Sequence, residues 1–482
     1  MAPVPATSEA HVTDQTPSAD TLRIAVVGAG PAGFYSAAQL LSGKAVEGDV
    51  AVDLFDRLPT PYGLVRFGVA PDHPKIKSVI RVYDKVAAKP GFRFFGGVQI
   101  GRDLTHHDLA SRYHAVIYTT GASHDRRLGI PGEDLPGSVA ATEFVAWYNG
   151  HPDAADHTFD LSSKRAVVIG NGNVAVDVAR MLALTPDELK VTDTADHAIE
   201  ALSNSEIEEI VVLGRRGLAQ AAFTNPELRE LGELQDADIV VDPSEVVLDE
   251  GSKNWLSRDG ADVREQKNVD IATEYSTRTP EGKKRRVILR FLASPVKILG
   301  QEKVEGIEIV KNELVADDDG WLTARPTDET ETIECGLVLR SIGYRGQPLD
   351  GVPFDDRRAT VNNVAGRVLD PETDEPIPGL YTAGWIKRGP SGIIGTNKKC
   401  ANDTVGELAQ DHAAGKLPEP TETGDVADLL AENGTRYVDY PGWQRIDAHE
   451  TALGEPQGRP RVKLVNIDQM FDIARETADT TG

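Results

Sequence analysis

Gly28-Ala29-Gly30-Pro31-Ala32-Gly33 and Gly170-Asn171-Gly172-Asn173-Val174-Ala175 are the two stretches on which the reading of this chain turns. Each follows a run of strand character, Leu22 to Val27 and Ala166 to Ile169, and each opens a helix-compatible stretch. Glycines in such a turn let the chain tighten and let backbone approach a pyrophosphate, whose charge then sits at a helix N-terminus. A single glycine-rich turn is common. Two in one chain, each set between strand and helix, point to two dinucleotides handled by one protein.

The residues beyond each turn separate the ligands. After the first, Val50 to Phe55 reads as a strand ending in Asp56. A carboxylate at that strand end, about 20 residues past the glycines, accepts hydrogen bonds from an adenosine ribose. The spacing here is slightly longer, with Lys44 to Asp49 as a loop. After the second turn, Ile210 to Leu213 runs into Gly214-Arg215-Arg216-Gly217. Two guanidinium groups there match a 2′-phosphate in fork geometry, where an acid would bind a ribose diol. The first site reads as FAD and the second as NADP(H); the competing reading of Arg215 and Arg216 is a pair of solvated surface arginines.

At 482 residues the chain has room for two or three domains, and 40% hydrophobic with 26% charged residues is ordinary for a globular protein. No apolar run reaches the ~18 residues of a membrane span. Met1 to Asp20 lacks the basic start and apolar centre of a secretory signal and the arginines of an organelle presequence. It reads as a disordered extension, and the expected location is cytoplasmic. A net charge of -25 disfavours nucleic acid and anionic membranes as partners. Two cysteines far apart, Cys335 and Cys400, leave no disulfide framework, no metal site and no C-x-x-C dithiol for disulfide reduction.

The organisation follows from where these signals recur. Thr21 to Gly121 alternates strands and helices; Ala115 to Thr120 reads as a buried strand ending at Gly121, where a cofactor could approach. Leu161 to Gly343 carries the second turn, with strands at Val287 to Leu292 and Leu337 to Ile342, and Glu250 to Gly282 as a polar, irregular excursion. Gly379 to Gly384 then repeats the strand-to-glycine pattern, followed by Lys387 to Gly395 and a helix over Thr396 to His412. The expected fold is α/β, with two three-layer, Rossmann-like dinucleotide-binding domains and the NADP domain inserted in a discontinuous FAD domain. The boundaries are 21–123 and 347–482 for FAD and 124–346 for NADP. Beyond Pro418 the chain turns acidic and then basic around Arg459 to Lys463, as a tail packed on the body or partly mobile.

Tyr62-Gly63-Leu64-Val65-Arg66-Phe67-Gly68-Val69-Ala70-Pro71-Asp72-His73-Pro74 resembles the signature of adrenodoxin reductase and its bacterial ferredoxin–NADP+ reductase relatives. So do Gly170 to Asp177, Gly214 to Gly217, Phe223-Thr224 with Glu227-Leu228-Arg229-Glu230, Ser341 to Tyr344, and Gly384 to Pro390. These segments stand in family order over roughly residues 22 to 410. The resemblance implies an FAD enzyme that takes a hydride from NADPH and passes single electrons to an iron–sulfur ferredoxin, or runs in reverse. It assigns FAD contacts to Gly28 through Gly33, Asp56, Leu64, Ile100, Trp385, Gly392, Ile393 and Ile394. NADP contacts fall on Asn171, Gly172, Asn173, Val174, Arg215, Arg216, Glu227 and Gly392, the last letting the nicotinamide stack closely on the flavin. Asp56 stands where the family more usually has Glu, and Ile100 where it has Val.

Hydride transfer asks mainly for placement and for tuning of the flavin. His73, between Pro71 and Pro74, and Glu230 are candidates for proton handling; the alternative is that both are structural hydrogen-bonders. The strongly acidic chain departs from the adrenal relative, whose basic surface receives an acidic ferredoxin. Docking then falls to a local patch, Lys283 to Arg286 or the better-placed Lys387-Arg388 with Lys398-Lys399, the first run being more often a solvated loop. The alternative function is a flavoprotein subunit feeding a larger partner, as in the glutamate synthase small subunit. Its usual cysteine-rich upstream segment has no counterpart here.

Overall fold

The computed structural model describes residues 21–317 and 320–476. The extension expected over Met1 to Asp20 lies outside them. Strands in chain order are β1 (Leu22–Val27), β2 (Val50–Asp56), β3 (Phe92–Gly96) and β4 (Ala115–Tyr118), then β5 (Ser138–Ala140), β6 (Arg165–Ile169), β7 (Glu209–Leu213), β8 (Ala237–Val241) and β9 (Arg285–Arg290). There follow β10 (Ala293–Leu299), β11 (Gly306–Ala316), β12 (Leu322–Glu334) and β13 (Leu337–Arg340), and finally β14 (Asn363–Val364), β15 (Arg367–Leu369) and β16 (Pro376–Thr382).

The first sheet has the order β14-β15-β16-β4-β1-β2-β3. Its strands β16, β4, β1, β2 and β3 run parallel, so a strand from residue 376 onward pairs directly with one ending at residue 118. The second sheet, β5-β13-β6-β7-β9-β8, is built wholly from the intervening chain. This is the inserted, discontinuous arrangement. The two connections between the modules lie side by side, with Tyr344–Arg345 pairing antiparallel to His124–Asp125.

Alternation along the strands explains the two-sided burial. In β1, Leu22, Ile24 and Val26 enter one core and Ala25 and Val27 the opposite one. In β6, Ala166 and Val168 face one core and Val167 and Ile169 another. Parallel strands covered on both faces read as continuous apolar runs, as these do. One face of the second sheet is covered by the antiparallel sheet β10-β11-β12, whose Ile298, Ile307, Ile309 and Ile333 fill that core. This sheet adds an antiparallel layer to the expected strand–helix alternation.

The expected irregular excursion is corrected. Glu250–Ser257 and Val263–Ser276 are helices, the first capped by Asp249 and the second by Asp262. The second buries Asn268, Val269, Ala272 and Tyr275. The tail is packed on the body. Val438 bridges to Gly96, and the helices Tyr440–Gly454 and Ile467–Arg475 place Trp443, Ile446, Met470 and Phe471 in the core of the first module. Among the described residues no helix is long and apolar enough to cross a membrane, and no cluster of His, Cys, Asp and Glu could hold a metal ion.

Candidate functional site

Helix α1 (Pro31–Leu40) follows β1 through the first glycine turn, and the three glycines do different things. Gly28 has φ +107, and a Cβ on it would lie 2.7 Å from Thr119 O. A Cβ on Gly33 would lie 2.0 Å from Gly28 O, so helix and strand touch through bare backbone. Gly30 faces open space, with nothing within 4 Å of where its Cβ would be. No side chain caps α1, so the N–H groups of Ala32 and Gly33 face the same opening. Thr119, read from sequence only as part of a buried strand, locks the turn by donating to Val27 O and Gly28 O at 3.0 and 2.7 Å.

The other first-site residues converge on this turn. Asp56 ends β2 and accepts from Ala29 N at 2.8 Å and Leu58 N at 3.0 Å. Burial pushes its carboxyl above the ordinary value, against those two N–H groups. Tyr62, at φ +83, donates its N–H to Ala29 O, and the following Gly63 backs onto Gly30 Cα, setting Leu64 half-exposed beside the glycines. Gly121, at φ +75, is open on its Cβ side. Gly384 packs against Ala32 and delivers Trp385, whose indole donates to Ser391 O and whose ring lies 5.4 Å from that of Tyr344. Gly392 (φ +80), Ile393 and Ile394 lead from this loop into the helix Ile394–Ala413. Ile100 differs: its side chain is buried with Phe55 and Phe95, leaving only its backbone for a cofactor.

The second turn repeats the geometry. Gly170 has φ +136, and a Cβ there would meet Ser341 O at 2.2 Å, while Gly172 faces open space at the uncapped start of α2 (Asn173–Ala183). Asn171 O accepts from Ala222 and Phe223, and Asn173 Oδ1 accepts from Thr224 N at 2.8 Å, tying the turn to α3 (Asn225–Leu231). Half-buried Val174 completes the turn. Arg215 and Arg216 follow β7, and among the described residues neither side chain makes an ion pair or hydrogen bond. Burial and the like charge of Arg215 hold Arg216 below its ordinary value, with Glu265 opposing. On a chain of net charge -25, two adjacent unpaired guanidinium groups form a place for an anion. Glu227, in the first turn of α3, keeps one carboxylate oxygen buried without a partner.

An ionic network joins the two modules. His73 Nε2 donates to Glu230 Oε2 at 2.7 Å. Arg180 of α2 donates to Glu230 at 3.0 Å, to Asp72 at 2.7 and 3.0 Å, and to Asp177 at 3.0 Å. Burial pulls His73 down, but the Glu230 bond, aided by Asp177 and Asp72 against Arg180, leaves it above its ordinary value. The His73 bond, helped by Arg180 against burial, holds Glu230 low. Burial pushes Asp177 up to about 6 despite Arg180. The sequence reading did not single out Arg180; the signal that could have found it is Asp177 and Arg180 at (i, i+3) in a helix that is apolar around them.

The docking candidates fare unequally. Arg285 is among the largest fully buried side chains, donating to Ile207 O and Leu184 O, while Arg286 pairs with Glu209 and Lys283 with Glu281. Only Arg285 and Arg286 of that run lie in β9, and three of its four cations are already paired or buried. Lys387 is spent on Ala365 O and Thr404, and Arg388 on Ser391 O and Asn397, which leaves Lys398 and Lys399 exposed.

The residues present fit two dinucleotides: two open, uncapped turns, a ribose-type carboxylate beside one and unpaired arginines beside the other. This fold and site define a pyridine-nucleotide oxidoreductase with two nucleotide-binding modules. Residues 22–213 match the model of the pyridine nucleotide-disulphide oxidoreductase family. The chain is 48% identical over 457 residues to NADPH-ferredoxin reductase FprA of Mycobacterium leprae, covering 93% of this chain and 98% of that protein. It is 40% identical over 468 residues to the mitochondrial NADPH:adrenodoxin oxidoreductase of Salvelinus fontinalis, covering 95% and 92%. Mycobacterium tuberculosis FprA in complex with NADPH superposes with a TM-score of 0.88 at 48% identity, over 94% of this chain and 99% of that one. The chain belongs to the NADPH–ferredoxin reductase family that includes adrenodoxin reductase.

Proposed function

We propose that this protein is an FAD-dependent NADPH–ferredoxin oxidoreductase of the cytoplasm. Residues 21–123 and 347–482 are assigned to FAD, with a tail from about residue 419, and 124–346 to NADP. The observation that carries the reading is the contrast between the two turns, half-buried Asp56 bonded to Ala29 N at one and unpaired Arg215 and Arg216 at the other. FAD, when bound, accepts a hydride as an electron pair and releases electrons singly, which couples NADPH to a one-electron iron–sulfur partner.

The chain's own residues bind and orient. Gly28 to Gly33 and the start of α1 take a pyrophosphate, Asp56 takes a ribose, and Leu64, the Ile100 backbone, Gly121, Trp385 and Gly392 to Ile394 border the same nucleotide. Asn171 to Val174 take the second pyrophosphate, Arg215 and Arg216 the 2′-phosphate, and Glu227 and Gly392 the nicotinamide end. His73 holds a proton at Nε2 against Glu230, the pair proposed for the proton handling that accompanies hydride arrival. Anaerobic NADPH should bleach the yellow holoprotein, and added ferredoxin should restore the colour with one ferredoxin reduced per electron. A holoprotein that NADPH leaves yellow would overturn the assignment.

A further inference from the structure

Asp193 belongs to the inserted module, yet two lysines of the other module hold it. Lys77 Nζ lies 2.7 and 2.8 Å from its two oxygens, and Lys463 Nζ lies 3.3 Å from Oδ2. The Lys463 side chain has no exposed surface. It also donates to Arg66 O of the first module at 3.1 Å, and to Asn149 O and Oδ1 of the second at 3.1 and 3.2 Å. Four residues earlier, Arg459 donates to Thr192 O and Thr194 O and pairs with Asp196, all in the second module. The tail that carries these cations is fastened to the first module by Glu450, which accepts from Arg66, Arg461 and Leu464 N. A buried ammonium group, Lys463, and a partly buried one, Lys77, face one carboxylate, and the balance is made up by carbonyl oxygens. Such an arrangement tolerates one register only, since any slip strands a buried cation.

The covalent links between the modules are the short ribbon at His124–Asp125 and Tyr344–Arg345. Near the proposed site, Asp72 and His73 also reach Arg180 and Glu230. A hydride must cross between nucleotides held on different modules, and reaction demands an approach of about 3–3.5 Å, with roughly 1 Å of misplacement costing on the order of a hundredfold. Resting on the function proposed above, we infer that Arg459 to Lys463 is a clamp that sets the orientation of the second module on the first, with Lys463 as its positioning residue.

The test uses the full-length holoprotein and the variants Lys463→Met, Asp193→Asn and, as a milder break, Arg459→Gln. In stopped flow the limiting rate of bleaching by NADPH should fall at least tenfold in the first two and about threefold in the third. NADP+ affinity should stay within twofold and the FAD content should remain full. The Arg126 N–H, bonded to Gly343 O beside the ribbon, should exchange its hydrogen at least tenfold faster, while amides of β1 and β6 keep their protection. Unchanged bleaching and unchanged ribbon exchange would reduce the tail to simple packing. Should Lys463→Met fail to fold, Asp193→Asn and Arg459→Gln decide by the same readings. Should NADPH leave the unmodified protein yellow, the functional reading fails and ribbon exchange alone judges the clamp.

Discussion

His73 of one module and Glu230 of the other meet at 2.7 Å, imidazole Nε2 to carboxylate Oε2. His73 titrates above its ordinary value and Glu230 below its own, so the pair is charged on both sides over a wide window. Stability from the raised histidine is fully present below about pH 6.5 and is lost as pH rises through the folded value. Stability from the depressed carboxylate is present above its ordinary value and is lost as pH falls through the folded one. Glu230→Gln leaves burial and Arg180 acting on the imidazole against only Asp177 and Asp72, the smaller influences, so His73 should titrate below its ordinary value. An NMR titration of the His73 ring reads this directly, and an unmoved midpoint would assign the shift to Asp177 and Asp72 instead.

Gly28 and Gly30 should respond in opposite ways to alanine. Gly28→Ala forces a side chain at φ +107 against Thr119 O, which costs roughly 2 kcal/mol or more of stability. Gly30→Ala meets nothing within 4 Å and sits at φ -80, so the apoprotein should melt as before. It should nevertheless release FAD more readily, because the added methyl fills the space intended for pyrophosphate. Thermal unfolding of apoprotein beside flavin titration separates the two effects.

Removing both guanidinium groups, Arg215→Ala with Arg216→Ala, should cost roughly 3 kcal/mol of NADPH binding, somewhat over a hundredfold in KM. The KM for NADH should move less than threefold. Steady-state comparison of the two nucleotides checks this, and an intact preference for NADPH would mean that other residues read the 2′-phosphate.

Arg66 and Glu450 form a buried bidentate pair, with side chains 4% and 0% exposed. Glu450→Gln strands Arg66 and weakens the hold on Arg461 and Leu464, a loss of about 3–5 kcal/mol. The joint variant Arg66→Met with Glu450→Leu should lose less than Glu450→Gln alone. Differential scanning calorimetry of the three proteins ranks them, and equal losses would show that the charge pair itself is immaterial.

Much of the site was legible because its determinants are local. A turn that needs φ +107 and close backbone approach requires glycine at that position, and a strand end fixes where Asp56 or Arg215 stands relative to it. The helix Val263–Ser276 was illegible for the opposite reason. Its buried face includes Asn268, which bonds Asn225 and Phe223 O, some 40 residues away in sequence, so its apolar period is broken by a polar residue whose partners are distant. Within the Lys283 to Arg286 run, Arg285 was hard to read for the same reason. Arg285 looks like surface charge until the carbonyls of Leu184 and Ile207 are seen around it.

The sequence by itself determined two glycine turns, the carboxylate beyond one and the arginines beyond the other, and the late return of the first module, because these rest on backbone geometry and on residues near one another in the chain. Only the tertiary structure decided how the modules face each other. Arg180 reaching Asp72 and Glu230, Glu450 holding Arg66, and Lys463 gripping both Arg66 O and Asp193 are contacts between segments as much as 397 residues apart. Their energy comes from burying charge beside the right partner, and which partner is right depends on the packing of the whole chain.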